Sequence, residues 1–233
     1  MKQLNIYRFQ YFTTLKDQNF CIIFNIIHHL TWNNVLSEIP TKIQKLYIDM
    51  TYLKIPKSIG FLFSRKDQIS TALVRSLILK CLETKISKIT FYDPWNILSF
   101  YEHEIHCEVE KIFNVLKRKN GDNLYKDNYV KILIIGSKDV PSIWSSTTKE
   151  LCTSDFPICQ KRIEEQLEKN YIYEIDLLIK IGDIPSLCGY PCWVLNLAEI
   201  INIKHFKNKH FVSDSEFNNF LITFSKRDRR HGK

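Results

Sequence analysis

The densest group of side chains able to do polar chemistry closes the sequence: Arg229-Arg230-His231-Gly232-Lys233. An arginine followed by a residue without a side chain can wrap a pyrophosphate with guanidinium and backbone N–H groups together. The same cations would complement the dipole of a helix ending there, so charge alone leaves both readings open. The remaining candidates are incomplete sets. His103 and His106 stand one helical turn apart within Glu102-His103-Glu104-Ile105-His106-Cys107, a spacing two metal ligands could use. Ile105 between them belongs on a core-facing stripe, which puts the His and Glu residues on a solvated face. Cys188 and Cys192 lack a second matching pair. Glycine-rich phosphate cradles, carboxylate pairs and Ser-His-Asp spacings are absent from the sequence.

From Ser58 onward, short apolar runs alternate with long amphipathic ones, which predicts an α/β chain with a mostly parallel central sheet flanked by helices. Strands are expected at Ser58 to Phe63, Lys88 to Tyr92, Lys131 to Gly136, Ile175 to Ile179 and Glu199 to Ile203. Helices are expected around Ile69, Leu73, Leu77 and Cys81, and after Asn96 with Ile105, Val109, Ile112 and Phe113 on one face. Another should run from about Pro157 to Asn170, capped by Asp155, with a short one around Trp193 to Ala198. Ser213-Asp214-Ser215-Glu216 is a capping box for a last helix carrying Phe217, Phe220, Leu221 and Phe224. In a parallel sheet ligands sit beyond the carboxyl ends of the strands. Those places read Ser64-Arg65, Asp93-Pro94, Gly136-Ser137 and Lys180-Ile181-Gly182, with Asp93 in a turn before Pro94.

With 233 residues, 45% apolar and 13% aromatic, the chain suits one buried core. Residues 1–55 have no clean period and read as an appendage, with an amphipathic piece from Trp32 to Tyr52 suited to a membrane surface, a partner or one face of the core. Residues 56–233 form the domain. The net charge of +8 favours an anionic partner. Nucleic acid is not expected, because no basic-aromatic surface pattern accompanies the charge. Seven cysteines, an odd number scattered through apolar stretches, fit a reducing compartment. The best apolar run, Phe20 to Leu30, is short and holds His28 and His29, so no bilayer-spanning segment is expected.

Asp176-Leu177-Leu178-Ile179-Lys180-Ile181-Gly182, then Trp193-Val194-Leu195-Asn196-Leu197-Ala198-Glu199 and the closing Arg-x-Gly resemble the C-terminal half of a cis-prenyltransferase. Strand, loop, Trp, Glu six residues later and final helix follow in that family's order, and the earlier strands extend the resemblance over about residues 56–233. It implies the undecaprenyl diphosphate synthase-like fold. It also shows departures. Family catalysts follow the first strand with an Asp-Gly-Asn-Arg-Arg-like motif whose Asp organises magnesium; here Ser64-Arg65-Lys66 stands there, and a hydroxyl does not replace that carboxylate. The family's Arg-x-Gly-Gly-x-x-Arg-x-Ser loop reads Lys180, Gly182, Asp183, Ser186 and Cys188. Glu199 matches the family's metal-binding Glu, and without the Asp it would serve structure or an interface.

A degenerate pocket with an intact tail resembles the Nogo-B receptor subfamily, the non-catalytic subunit of dehydrodolichyl diphosphate synthase. That resemblance implies a heterodimer making the dolichol precursor for protein glycosylation, at the cytosolic face of the endoplasmic reticulum membrane and held there peripherally. Arg230 and Gly232, with His231 between, would reach isopentenyl diphosphate in the catalytic cis-prenyltransferase subunit. Magnesium would lie in that partner's site, and this chain would bind no cofactor or metal and carry no catalytic residue in its own pocket. The alternatives are a self-sufficient homodimeric cis-prenyltransferase and a receptor or adaptor module of the same fold.

Overall fold

Ser58-Ile59-Gly60-Phe61-Leu62-Phe63 has no polar alternation, and a strand of that kind is stable only when both its faces are covered. The computed structural model, which describes residues 53–120, 130–153, 156–170 and 172–227, places this segment at the centre of a sheet with every residue buried. The appendage expected over 1–55, apart from its last three residues, and the tail from Arg229 lie outside the described residues. In chain order the elements are β1 (Ser58–Phe63), α1 (Thr71–Glu83), β2 (Lys88–Asp93), α2 (Glu102–Asn120), β3 (Lys131–Gly136) and α3 (Asp139–Cys152). They continue with α4 (Gln160–Lys169), β4 (Leu177–Ile181), β5 (Glu199–Ile203) and α5 (Asp214–Lys226).

The five strands are all parallel, in the order β3-β2-β1-β4-β5. Residue alternation in the strands divides the core in two. Ile59, Phe61 and Phe63 face α1, α2 and α5, where Leu73, Leu77, Ile105, Phe217, Leu221 and Phe224 pack against them. Leu62, Tyr92 and Leu178 face the other way, toward Leu167 of α4 and the α3 residues Val140, Ile143 and Trp144. Gly60 is required on that second face. A Cβ there would stand 2.8 Å from the Tyr190 hydroxyl and 2.9 Å from Leu178 Cδ1.

The ends of the helices follow local chemistry. Asp93, 1% exposed, accepts from the Trp95 and Leu98 backbone N–H groups at 2.9 and 2.8 Å, so the carboxylate organises the turn into α2 and is spent on structure. The Ser213 hydroxyl accepts from the Glu216 N–H while the Glu216 carboxylate accepts from the Ser213 N–H, completing the expected capping box.

Candidate functional site

β1, β2 and β3 run out to one side of the sheet and β4 returns on the other side of β1, so the topological switch point lies between the carboxyl ends of β1 and β4. Ser64 follows β1 there and extends the ladder, its N–H donating to the Ile181 carbonyl at 2.7 Å. Its hydroxyl is fully buried and has no hydrogen-bond partner among the described residues. Directly over it passes Gly182, whose φ of 114° is accessible at little cost only to glycine. A Cβ at 182 would lie 2.2 Å from Ser64 Oγ. Ser64 therefore lies under the crevice floor instead of lining it.

Arg65 fills the space above. Its Nε donates to Asp67 Oδ1 at 3.0 Å, and its Nη1 lies 3.5 Å from Asp183 Oδ1, across the switch point on the β4 side. The hydrogen bond from Arg65 holds the Asp67 carboxyl below its usual range, and Asp67, then Asp183, raises the guanidinium in return. One guanidinium thus engages both carboxylates at this end of the crevice. The donor set does not suit magnesium: a hydroxyl aimed inward and two carboxylates already engaged by a guanidinium. No cluster of three metal-ligating side chains occurs among the described residues.

The loop after β4 has its own supports. The Tyr92 hydroxyl donates to the Cys188 carbonyl at 2.8 Å, and burial pushes that phenol up to about 12. Ser186 Oγ accepts from the Cys188 N–H at 3.0 Å, Cys188 itself has a φ of 50°, and a Cβ at Gly189 would stand 2.9 Å from the Tyr92 hydroxyl. Lys180 is 7% exposed on β4, and its ammonium has no ion-pair partner among the described residues. Among the described residues it is the only buried lysine or arginine.

Glu199 is elsewhere. It pairs in register with Leu177, which pairs with Ile59, so it lies two strands across and five residues back from Ser64, roughly 19 Å by strand spacing. It ion-pairs with Arg227 at the end of α5. Sequence reasoning aligned Glu199 with a metal ligand, and within one chain the fold separates it from the switch point. His103 and His106 are not brought together as ligands either: His103 contacts Cys107, and His106 lies 3.8 Å from Glu102 on the outer face of α2. Two functional features escaped the sequence reading. One is the Arg65–Asp67–Asp183 bridge, whose only sequence signal was charge immediately after two strands. The other is a basic loop after β5, with Lys207 and Lys209 beside Arg65 on a cleft of about 410 Å³.

A probable undecaprenyl diphosphate synthase from Campylobacter jejuni superposes with a TM-score of 0.52 over 78% of this chain and 100% of that one, at 14% sequence identity. The chain has the cis-prenyltransferase fold. A lavandulyl diphosphate synthase from Lavandula x intermedia, in complex with dimethylallyl diphosphate, covers 76% of this chain and 98% of its own at 12% identity and a TM-score of 0.48. The sequence matches no known family profile and no curated protein. The likeness is one of fold, with Ser64, Arg65 and Asp183 at the carboxyl ends of β1 and β4.

Proposed function

We propose that this chain is the accessory, non-catalytic subunit of a heteromeric cis-prenyltransferase, a dehydrodolichyl diphosphate synthase-type complex that makes the dolichol precursor for protein glycosylation. The observation that carries the reading is the end of β1, where the sequence resemblance would put a magnesium-organising Asp and the chain has instead a buried Ser64 hydroxyl with no partner among the described residues and an Arg65 engaged by carboxylates. Magnesium and the condensation of isopentenyl diphosphate with an allylic diphosphate then belong to the catalytic partner. This chain supplies Arg230, His231 and Gly232 to that site, in the manner of the Nogo-B receptor subfamily, at the cytosolic face of the endoplasmic reticulum membrane.

The test compares polyprenyl diphosphate synthesis by this chain alone, by its catalytic partner alone, and by the pair, the last also with Arg230→Ala or without residues 230–233. The pair should be active and this chain inert, with activity falling when the tail is altered. Robust synthesis by this chain alone would overturn the accessory reading. Full activity of the tail-altered pair would overturn the role given to Arg230.

A further inference from the structure

The outer face of α2 carries a pair of donor atoms that the switch-point crevice does not use. Cys107 Sγ lies 3.6 Å from His103 Nδ1, one helical turn away. Residues four apart on a helix stand one above the other, so the backbone alone keeps these two donors in register. His103 is exposed and Cys107 partly so, which leaves both open to an ion arriving from solvent. Among the described cysteines, Cys107 alone has an imidazole nitrogen in contact with its sulfur.

Their separation suits a metal. Zinc holds a thiolate at about 2.3 Å and an imidazole at about 2.0–2.1 Å, and a tetrahedral angle of about 109° then puts sulfur and nitrogen about 3.6 Å apart. That is the distance found here. A shared proton holds the same two atoms at hydrogen-bond distance, so an ion taking the proton's place would need little movement of either side chain. The neighbouring groups do not compete for the pair. His106 turns to Glu102, and Glu104 and Glu108 face Arg75. Glu110 is exposed one turn beyond Cys107 on the same face, without an ion pair among the described residues. No third ligand is grouped with the two among the described residues, so the remaining coordination positions fall to water or to Glu110. One nitrogen and one thiolate select zinc-class ions, whereas magnesium and calcium take oxygen.

We infer that His103 and Cys107 form a two-ligand site for a zinc-class divalent cation on the exposed face of α2. On binding, the thiol proton passes to solvent, and lone pairs on Sγ and Nδ1 make the two bonds to the ion. The ion ties successive turns of α2 together just after the Asp93 turn, and it withdraws Cys107 from thiol chemistry. The site stands apart from the crevice, so it and the accessory role can fail separately.

The test titrates the full chain, reduced and free of chelator, with zinc chloride and then pulses it with iodoacetamide. Mass spectrometry reads the alkylation rate of each cysteine as a ratio with and without zinc, which removes any effect of His103 on the thiol itself. At zinc ten times the dissociation constant about one site in eleven is free, so Cys107 should be alkylated about tenfold more slowly. Cys152 and Cys159, exposed and without such a neighbour, should be unaffected. His103→Ala should abolish the protection and His106→Ala should keep it. Cobalt should give a sulfur-to-metal charge-transfer band that millimolar magnesium leaves in place and that is lost in Cys107→Ser and in His103→Ala. Circular dichroism of each variant establishes that a loss is not one of folding. Unchanged alkylation of Cys107 up to millimolar zinc would overturn the proposal. So would equal protection of all exposed cysteines, protection that survives His103→Ala, or its loss in His106→Ala.

Discussion

The packing of Gly182 over Ser64 allows a quantitative test. Ser64→Ala removes a hydroxyl that is buried without a partner, and an unsatisfied buried polar group costs about 1–3 kcal/mol, against which the lost dispersion of one atom is small. We expect Ser64→Ala to stabilise the chain by about 1 kcal/mol, the reverse of the usual result for trimming a buried side chain. Gly182→Ala must place a side chain at a φ of 114°, worth about 1–3 kcal/mol of backbone strain, and set its Cβ 2.2 Å from Ser64 Oγ. It should cost about 3 kcal/mol in the native background. With Ala at 64 the overlap is gone and the strain remains, so the same change should cost about 2 kcal/mol, a coupling of about 1 kcal/mol. Urea unfolding of the four proteins, read as the shift in midpoint at constant slope, measures the cycle. Equal costs of Gly182→Ala in both backgrounds would refute the packing argument, and a loss of more than about 1 kcal/mol in Ser64→Ala would show that the hydroxyl has a partner.

Removing a charged donor from a diphosphate site typically costs about 10²-fold in turnover, so Arg230→Ala should lower synthesis by the reconstituted pair by about that factor and leave the unfolding midpoint of this chain alone. The Glu216 carboxyl, pushed up by burial but held below its ordinary range by the Lys207 N–H and by the Ser213 hydroxyl and N–H, contributes stability above the ordinary glutamate range that is lost as pH falls through its lowered folded value. The native chain should therefore lose stability more steeply than Glu216→Gln below about pH 4.3, and parallel urea midpoints across that range would contradict this. Among the described cysteines, Cys152, Cys159 and Cys192 are exposed, while burial pushes the Cys81 thiol well up. Brief alkylation followed by mass spectrometry should modify the first three and spare Cys81 until denaturant is added.

The strands were legible where a single signal dominated. Ser58 to Phe63, Lys131 to Gly136 and Glu199 to Ile203 stand where apolar runs meet a turn residue. β4 starts two residues later than expected, because Ile175 is drawn into the core by the loop side, its N–H donating to the Val194 carbonyl, and Asp176 receives the Lys57 and Ser58 N–H groups before the ladder begins. α3 was not anticipated. It holds Pro141 and the run Ser145-Ser146-Thr147-Thr148, poor helix formers in an interior, yet Pro141 falls in the first turn where no N–H is needed, and Val140, Ile143 and Trp144 pay for the rest by packing on the sheet. α4 begins at Gln160 after Cys159, with no side-chain cap. Trp193 to Ala198 forms only a 3₁₀ turn over Cys192–Leu195, and Ile69 precedes α1 instead of belonging to it. Ser64 was legible because a strand end fixes its position. The Arg65–Asp67–Asp183 bridge was not, since it joins loops more than a hundred residues apart and depends on β1 and β4 being neighbours.

That bridge also bears on how readily the crevice could change roles. Placing a carboxylate at 64 by Ser64→Asp would add negative charge under Gly182, in a space too tight for it, and beside a guanidinium already shared by Asp67 and Asp183. The added group would be neutralised by Arg65 before it met a metal. Building a divalent site there would take a change at 64, the removal of Arg65 and the release of both its partners, with intermediates that gain nothing. The Arg65 cation would have to go before any change at 64 could serve a metal.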